Sequence, residues 1–225
     1  MRASYGIHDM GSGNIIECDS KGPLTIGVKF EGSGNRIRIS KGCQAKQIYA
    51  HFPNDDGCIE IGKVSRFVAT LICAHRSRII IGDGISAKRK VVVIAAEGAT
   101  ISIGSDCMIA RDVVVRSDDA HAIYDVVTGR RVNKARDIDI GSHVWLANEA
   151  VILGGAKIGS GSVIGWRSIV KGTIPNNCVA AGAPAVVKKR NIAWERPHLY
   201  LSKPWEKGDL DPAERPSYWR MTDDF

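Results

Sequence analysis

The side chains most capable of chemistry stand together in one polar segment, Arg116 to Asp137, which contains Ser117-Asp118-Asp119-Ala120-His121 followed by Tyr124 and Asp125. His121 is the group to follow, because imidazole titrates nearer neutral pH than any other unperturbed side chain and can take up and return a proton within one reaction cycle. Asp118 and Asp119 stand where they can hold its tautomer or accept hydrogen bonds from hydroxyl groups, although Ser-Asp-Asp is also an ordinary turn composition. Tyr124 adds a second polar ring. None of the six histidines pairs with another at short range, and the six cysteines are scattered with no Cys-x-x-Cys pair, so no metal site is expected and the cysteines read as small buried side chains.

These groups interrupt a repeat, and the repeat must position them. Ile140, Leu146, Ile152, Ile158, Ile164 and Val170 are six aliphatic residues at a spacing of six, with Val144, Ala150, Ala156, Ser162 and Ser168 at the fifth position of each hexad. A period of six suits neither a 3.6-residue helix nor a hairpin meander. It is the hexapeptide repeat of a parallel β-helix, in which short strands stack and the aliphatic side chain points inward.

Further upstream, Gly11-Ser12-Gly13-Asn14-Ile15 and Gly32-Ser33-Gly34-Asn35-Arg36-Ile37 are near copies, which places Asn14 and Asn35 at one corner of successive turns. A cassette of aliphatic-x-Ile-Gly recurs at Leu24–Gly27, Ile59–Gly62, Ile79–Gly82, Ile101–Gly104 and Ile138–Gly141. The expected organisation is one β-helix over 1-190, broken by an extruded loop at 116-137. The tail, 191-225, carries Trp194, Trp205 and Trp219 among prolines and cannot continue the repeat; it reads as irregular with some helix, covering an open sheet edge or a neighbouring subunit.

Aromatic residues make up only 6% of the chain while glycine numbers 24 of 225 residues, which suits a thin aliphatic prism. No apolar run approaches the ~18 residues of a membrane span, and the first residues lack the apolar core of a signal peptide, so a soluble cytoplasmic protein is expected. The formal charge of +7 fits an anionic small molecule better than nucleic acid. The basic residues are dispersed apart from the runs 88–90 and 188–190, with no interleaved aromatics.

Taken together, the hexads, the Ser117–His121 segment, His143-Val144-Trp145-Leu146 and the exit Ala181-Gly182-Ala183-Pro184-Ala185 resemble the hexapeptide-repeat acyltransferases. The likeness is greatest to the galactoside, maltose and surface-polysaccharide O-acetyltransferases, and it is strong from Ile101 to Lys189. It implies an all-β fold, a left-handed parallel β-helix of triangular section, against the usual right-handed crossover preference. It also implies a homotrimer with sites between subunits, acetyl-CoA as donor and a sugar or polysaccharide hydroxyl as acceptor.

Under that resemblance His121 is the general base, and Asp118, Asp119 and Tyr124 face the acceptor. Trp145, Asn148, Trp166, Lys171, Lys188 and Lys189 fall where relatives hold the cofactor. Two departures stand out: the bulky Trp166 replaces a small residue, and Val186 replaces a basic residue that often follows Pro-Ala. His143 reads as structural, at the trimer seam. Three other readings compete. N-acetylation of an amino sugar shares the groove and base. A γ-carbonic-anhydrase-like zinc site lacks its histidine pair, and a non-catalytic scaffold leaves the His121 loop without a purpose.

Overall fold

A strand of two residues buries nothing alone, so the hexads are stable only because each turn of chain lies on the one before. The structure, a computed structural model, describes residues 2–22, 24–201 and 203–223, with the side chains of all of these except Lys46, Lys88 and Pro212. The chain winds left-handed for about seven turns, each crossing three faces.

The first face is a nine-stranded sheet among the described residues. In it Arg36–Ile39, Cys58–Ile61, Arg78–Ile81, Thr100–Ile103 and Ile138–Ile140 stack in parallel, so that Ile61, Ile81, Ile103 and Ile140 form one column. Met108–Ile109, Trp145–Leu146, Val163–Ile164 and Val179–Gly182 form the second face. Val114–Arg116, Val151–Leu153 and Ile169–Val170 form the third. In earlier turns one long strand serves both of these faces; Ser86–Ala95 pairs with the second-face strand at Met108 and the third-face strand at Val114.

The six hexad aliphatics from Ile140 to Val170 are all buried, and so are the five small residues at the fifth positions. The fourth residue of each hexad turns the corner in the left-handed region: His143 (φ 54°), Glu149 (φ 60°), Gly155 (φ 90°), Gly161 (φ 75°) and Arg167 (φ 54°). For a residue with a Cβ that conformation costs roughly 1 kcal/mol. An inter-turn hydrogen bond offsets it at every corner, since the N–H of each donates to the carbonyl of the turn below: His143 to Ser105, Glu149 to Arg111, Gly155 to Asp137, Gly161 to Ser142 and Arg167 to Asn148.

Asn14 and Asn35 do share a corner. The Asn35 backbone N–H and side-chain amide both donate to Asn14 Oδ1, at 3.0 and 3.1 Å, and Gly57 N–H donates to Asn35 Oδ1 at 2.7 Å. The first copy of the cassette, Leu24–Gly27, lies on a different face from the later ones. Ile26 pairs with Ile48 in the other sheet, not with the Ile61 column, because an aliphatic residue before a glycine bend suits any face of the prism.

After Val179–Gly182 the chain reverses into Ala185–Lys189, antiparallel to it. Residues 190–223 are irregular among those described, apart from one 3₁₀ turn at Pro212–Glu214. No helix among the described residues is long and apolar enough to cross a membrane.

Candidate functional site

The interruption leaves the prism at the corner between the third and first faces, after Val114–Arg116 and before Ile138–Ile140. Its root is tied to that corner. Arg136 N–H donates to the Ser117 carbonyl, the Arg136 guanidinium donates to the Gly154 carbonyl, and Ser117 Oγ accepts from Ala96 N–H. Further out, Arg131 pairs with Glu97, which holds the Glu97 carboxyl below its usual range, assisted by the N–H of Ala135. Asn133 then crosses the loop, donating to the His121 carbonyl at 2.8 Å and to Asp119 Oδ2 at 3.1 Å while accepting from Ile123 N–H.

His121 sits exposed in the part of the loop that Asn133 braces. Its backbone is fixed by a bond from its N–H to the Asp119 carbonyl, and its imidazole has no hydrogen-bond partner among the described residues. The two acidic neighbours do not orient the ring within one chain. Asp118 pairs with Arg116 and caps Ala120 N–H, while Asp119 is engaged by Asn133. Tyr124 is exposed and bridges to Arg131 through its backbone.

The predicted cofactor residues divide between two edges of the prism. Trp145 lies half-buried on the second face, between Met108 and Val163 of the turns on either side. Asn148 and Trp166 occupy successive turns of the corner beyond it. Asn148 Oδ1 accepts from Arg111 N–H at 3.3 Å, so it also braces the stack, whereas Trp166 is 58% exposed. Lys188 and Lys189 are exposed on the antiparallel strand that edges this face. Lys171 is exposed at the other edge, at the corner from which the loop leaves.

No family model matches the chain. Over 194 residues it is 37% identical to the polysialic acid O-acetyltransferase of Escherichia coli O1:K1 / APEC, covering 86% of this chain and 63% of that protein. It is 31% identical over 165 residues to the putative lipopolysaccharide biosynthesis O-acetyl transferase WbbJ of Escherichia coli K12, covering 68% of this chain and 79% of that protein. The crystal structure of the polySia specific acetyltransferase NeuO matches with a TM-score of 0.69 at 32% identity, covering 84% of this chain and 94% of that one. The chain belongs to the hexapeptide-repeat acyltransferases. It spans 63% of the length of the first of these relatives.

One part of this acyltransferase chain was not visible in its sequence: a lock between the tail and the corner joining the first and second faces. His143 stacks on Trp194 with ring centres 4.2 Å apart and is flanked by Tyr218 at 4.4 Å. The Trp194 indole N–H donates to the His143 carbonyl at 2.9 Å, and His143 Nε2 lies 3.1 Å from the Trp194 carbonyl. Asp106 joins both strands of the lock, with one oxygen 2.6 Å from His143 Nδ1 and the other 2.7 Å from Arg196 Nε. His143 therefore lies under the chain's own tail, and the tail packs along the prism.

Burial pushes the Asp106 carboxyl up, but the hydrogen bonds from His143 and Arg196 and the guanidinium charge together outweigh it and hold the group below its ordinary range. A lowered folded-state value means that this stabilisation is complete above the ordinary carboxylate value of about 3.9 and is lost as pH falls through the folded value. Acidification below about pH 4 is thus expected to release the tail, read as a change in tryptophan fluorescence and new proteolysis beyond residue 190. Asp106→Asn should show that release at neutral pH, and an identical acid profile in both proteins would remove Asp106 from the lock.

The loop root makes a second test. A Cβ on Gly154 would lie 2.4 Å from the Ser117 carbonyl oxygen, a backbone atom with nowhere to go. Gly154→Ala is expected to cost about 1–3 kcal/mol and to displace the loop. Thermal unfolding and turnover should therefore fall together; a variant as stable and active as the parent would show that the root is plastic.

Proposed function

We propose that this protein is an O-acetyltransferase that moves the acetyl group of acetyl-CoA to a sugar hydroxyl, in a surface polysaccharide or its precursor, and works as a homotrimer. The observation that carries this reading is the free imidazole of His121 on a braced loop, in a chain whose relatives are O-acetyltransferases.

His121 is the general base. Acetyl transfer requires a base for the acceptor proton, donors for the oxyanion and a groove for the carrier. As the acceptor oxygen attacks the thioester carbonyl, the imidazole takes the hydroxyl proton, and the resulting imidazolium returns a proton to the departing thiolate. A backbone N–H of the groove stabilises the oxyanion. Asp119 and Tyr124 are within the same loop and receive acceptor hydroxyls, while Asp118 fixes the loop turn beside them.

Trp145 and Trp166 line the carrier's acyl end and arm, Asn148 holds the corner between them, and Lys171, Lys188 and Lys189 pair with the carrier's phosphates. Residues 1-190 supply the catalytic unit. In one chain the loop corner is opposite the second face, so the imidazole and Trp145 belong to two different sites, and each complete site draws on two copies.

Cysteine does not serve as an acyl carrier in this scheme. Burial pushes the Cys107 thiol up to about 11 and the Cys73 thiol up to about 12, which keeps both protonated and poorly nucleophilic. The deciding experiment is a screen of sugar acceptors with acetyl-CoA, followed by locating the new acetyl group. Acetyl on oxygen supports the reading, while acetyl on nitrogen or a captured acetyl-cysteine contradicts it.

A further inference from the structure

The tail does more than lock. Where it crosses the second face it encloses a cavity of about 750 Å³, floored by Met108 and Trp145 and walled by Trp194, Tyr200, Leu210 and Trp219. That is within the ~300–1,000 Å³ of small-molecule sites, which are mostly apolar with a few polar groups. Trp145 is also the residue assigned above to the acyl end of the carrier, so the cavity opens beside the reacting centre.

The charges around it decide what it takes. Arg196 is spent on Asp106, Ser86 Oγ and the carbonyls of Gly84 and Cys107, and Lys207 is paired with Glu195. Asp209, also on the lining, has no ion pair among the described residues. Of the lining residues, the arginine and the lysine are therefore both spent, His198 stands edge-on to Tyr200, and Asp209 opposes an acidic ligand.

Resting on the reading above, we propose that this cavity is the acceptor subsite and that it holds an uncharged pyranose ring. The C–H face of such a ring is apolar and lies flat on an indole or phenol, while its hydroxyls ring the edge. There they donate to Asp209. A carboxylated sugar meets Asp209 as a like charge and is excluded.

The test uses the full chain and two substitutions at exposed positions, Tyr200→Ala and Leu210→Trp; the first removes a stacking wall and the second fills the cavity. Both should raise KM for a neutral oligosaccharide acceptor by ~10-fold and leave the calorimetric Kd for acetyl-CoA within ~2-fold. Saturation-transfer NMR with neutral and sialylated oligosaccharides should show contact for the neutral one only, lost in Leu210→Trp. Weakened acetyl-CoA binding with unchanged acceptor KM would mean that the carrier's arm fills the cavity, and would overturn the proposal. So would a sialylated oligosaccharide whose contact is abolished by Leu210→Trp, or the absence of any neutral-sugar contact in the parent. Neutral-sugar contact without acetyl transfer would leave the subsite standing and refute the enzymatic reading alone.

Discussion

His121→Ala is expected to lower acetyl transfer by ~10²-fold or more, the range over which a positioned general base acts. The same change should leave stability unaltered. The ring is exposed, makes no hydrogen bond among the described residues, and packs on nothing whose loss would open a cavity. What holds the loop is the backbone of residue 121, whose carbonyl accepts from Asn133 and whose N–H donates to Asp119, and alanine retains both groups. A melting curve that overlays the parent's, with turnover two orders of magnitude lower, assigns the loss to proton transfer. Turnover close to the parent's would take His121 out of the mechanism.

Asn133→Ala separates position from chemistry. It removes the amide that spans the loop but leaves the imidazole, so its effect should be smaller than that of His121→Ala and should vary with the acceptor used. An Asn133 variant as inactive as the histidine variant would mean that the brace, rather than the base, dominates.

How much of this was legible beforehand follows from how locally each feature is encoded. The six-residue aliphatic ladder is a signal carried by every turn, so the column from Ile140 to Val170 and the buried small residues between its members stood out plainly. Asn14 and Asn35 were equally plain, because a ladder residue must recur in a recurring local sequence. The extruded loop showed as the place where that periodicity fails.

The Leu24–Gly27 cassette is the opposite case, because its face was not legible. A buried aliphatic followed by a bending glycine satisfies any face of a three-sided prism, so the motif cannot report which face it is on. The division of Lys171 from Trp166 between two corners has the same origin, since hexad counting gives register along the chain but not the edge on which a residue emerges. The tail lock left no trace at all. Asp106, His143 and Arg196 are brought together across 37 to 90 residues of intervening chain, and no local pattern marks a contact made only once.

That geometry leads to the second large effect, restoration of activity by mixing two defective proteins. Within a chain the His121 loop leaves at the corner opposite the face that bears Trp145, and no loop residue lines the cavity against that face. In the homotrimer proposed above, three copies joined head to tail would bring the loop of one beside the second face of the next. His121→Ala and Trp145→Ala should each be nearly inactive alone. Co-expressed in equal amounts, they should form trimers in which roughly a quarter of the sites combine an intact loop with an intact face. Recovery of about that fraction of parental turnover is the expected result, and it requires exchange during assembly, since mixing pre-formed trimers should recover nothing. If both residues served the same site within one chain, every site would carry one defect and no ratio of the two proteins would be active. A null result from mixed trimers verified by native mass spectrometry would therefore place catalysis inside the single chain and break the composite site.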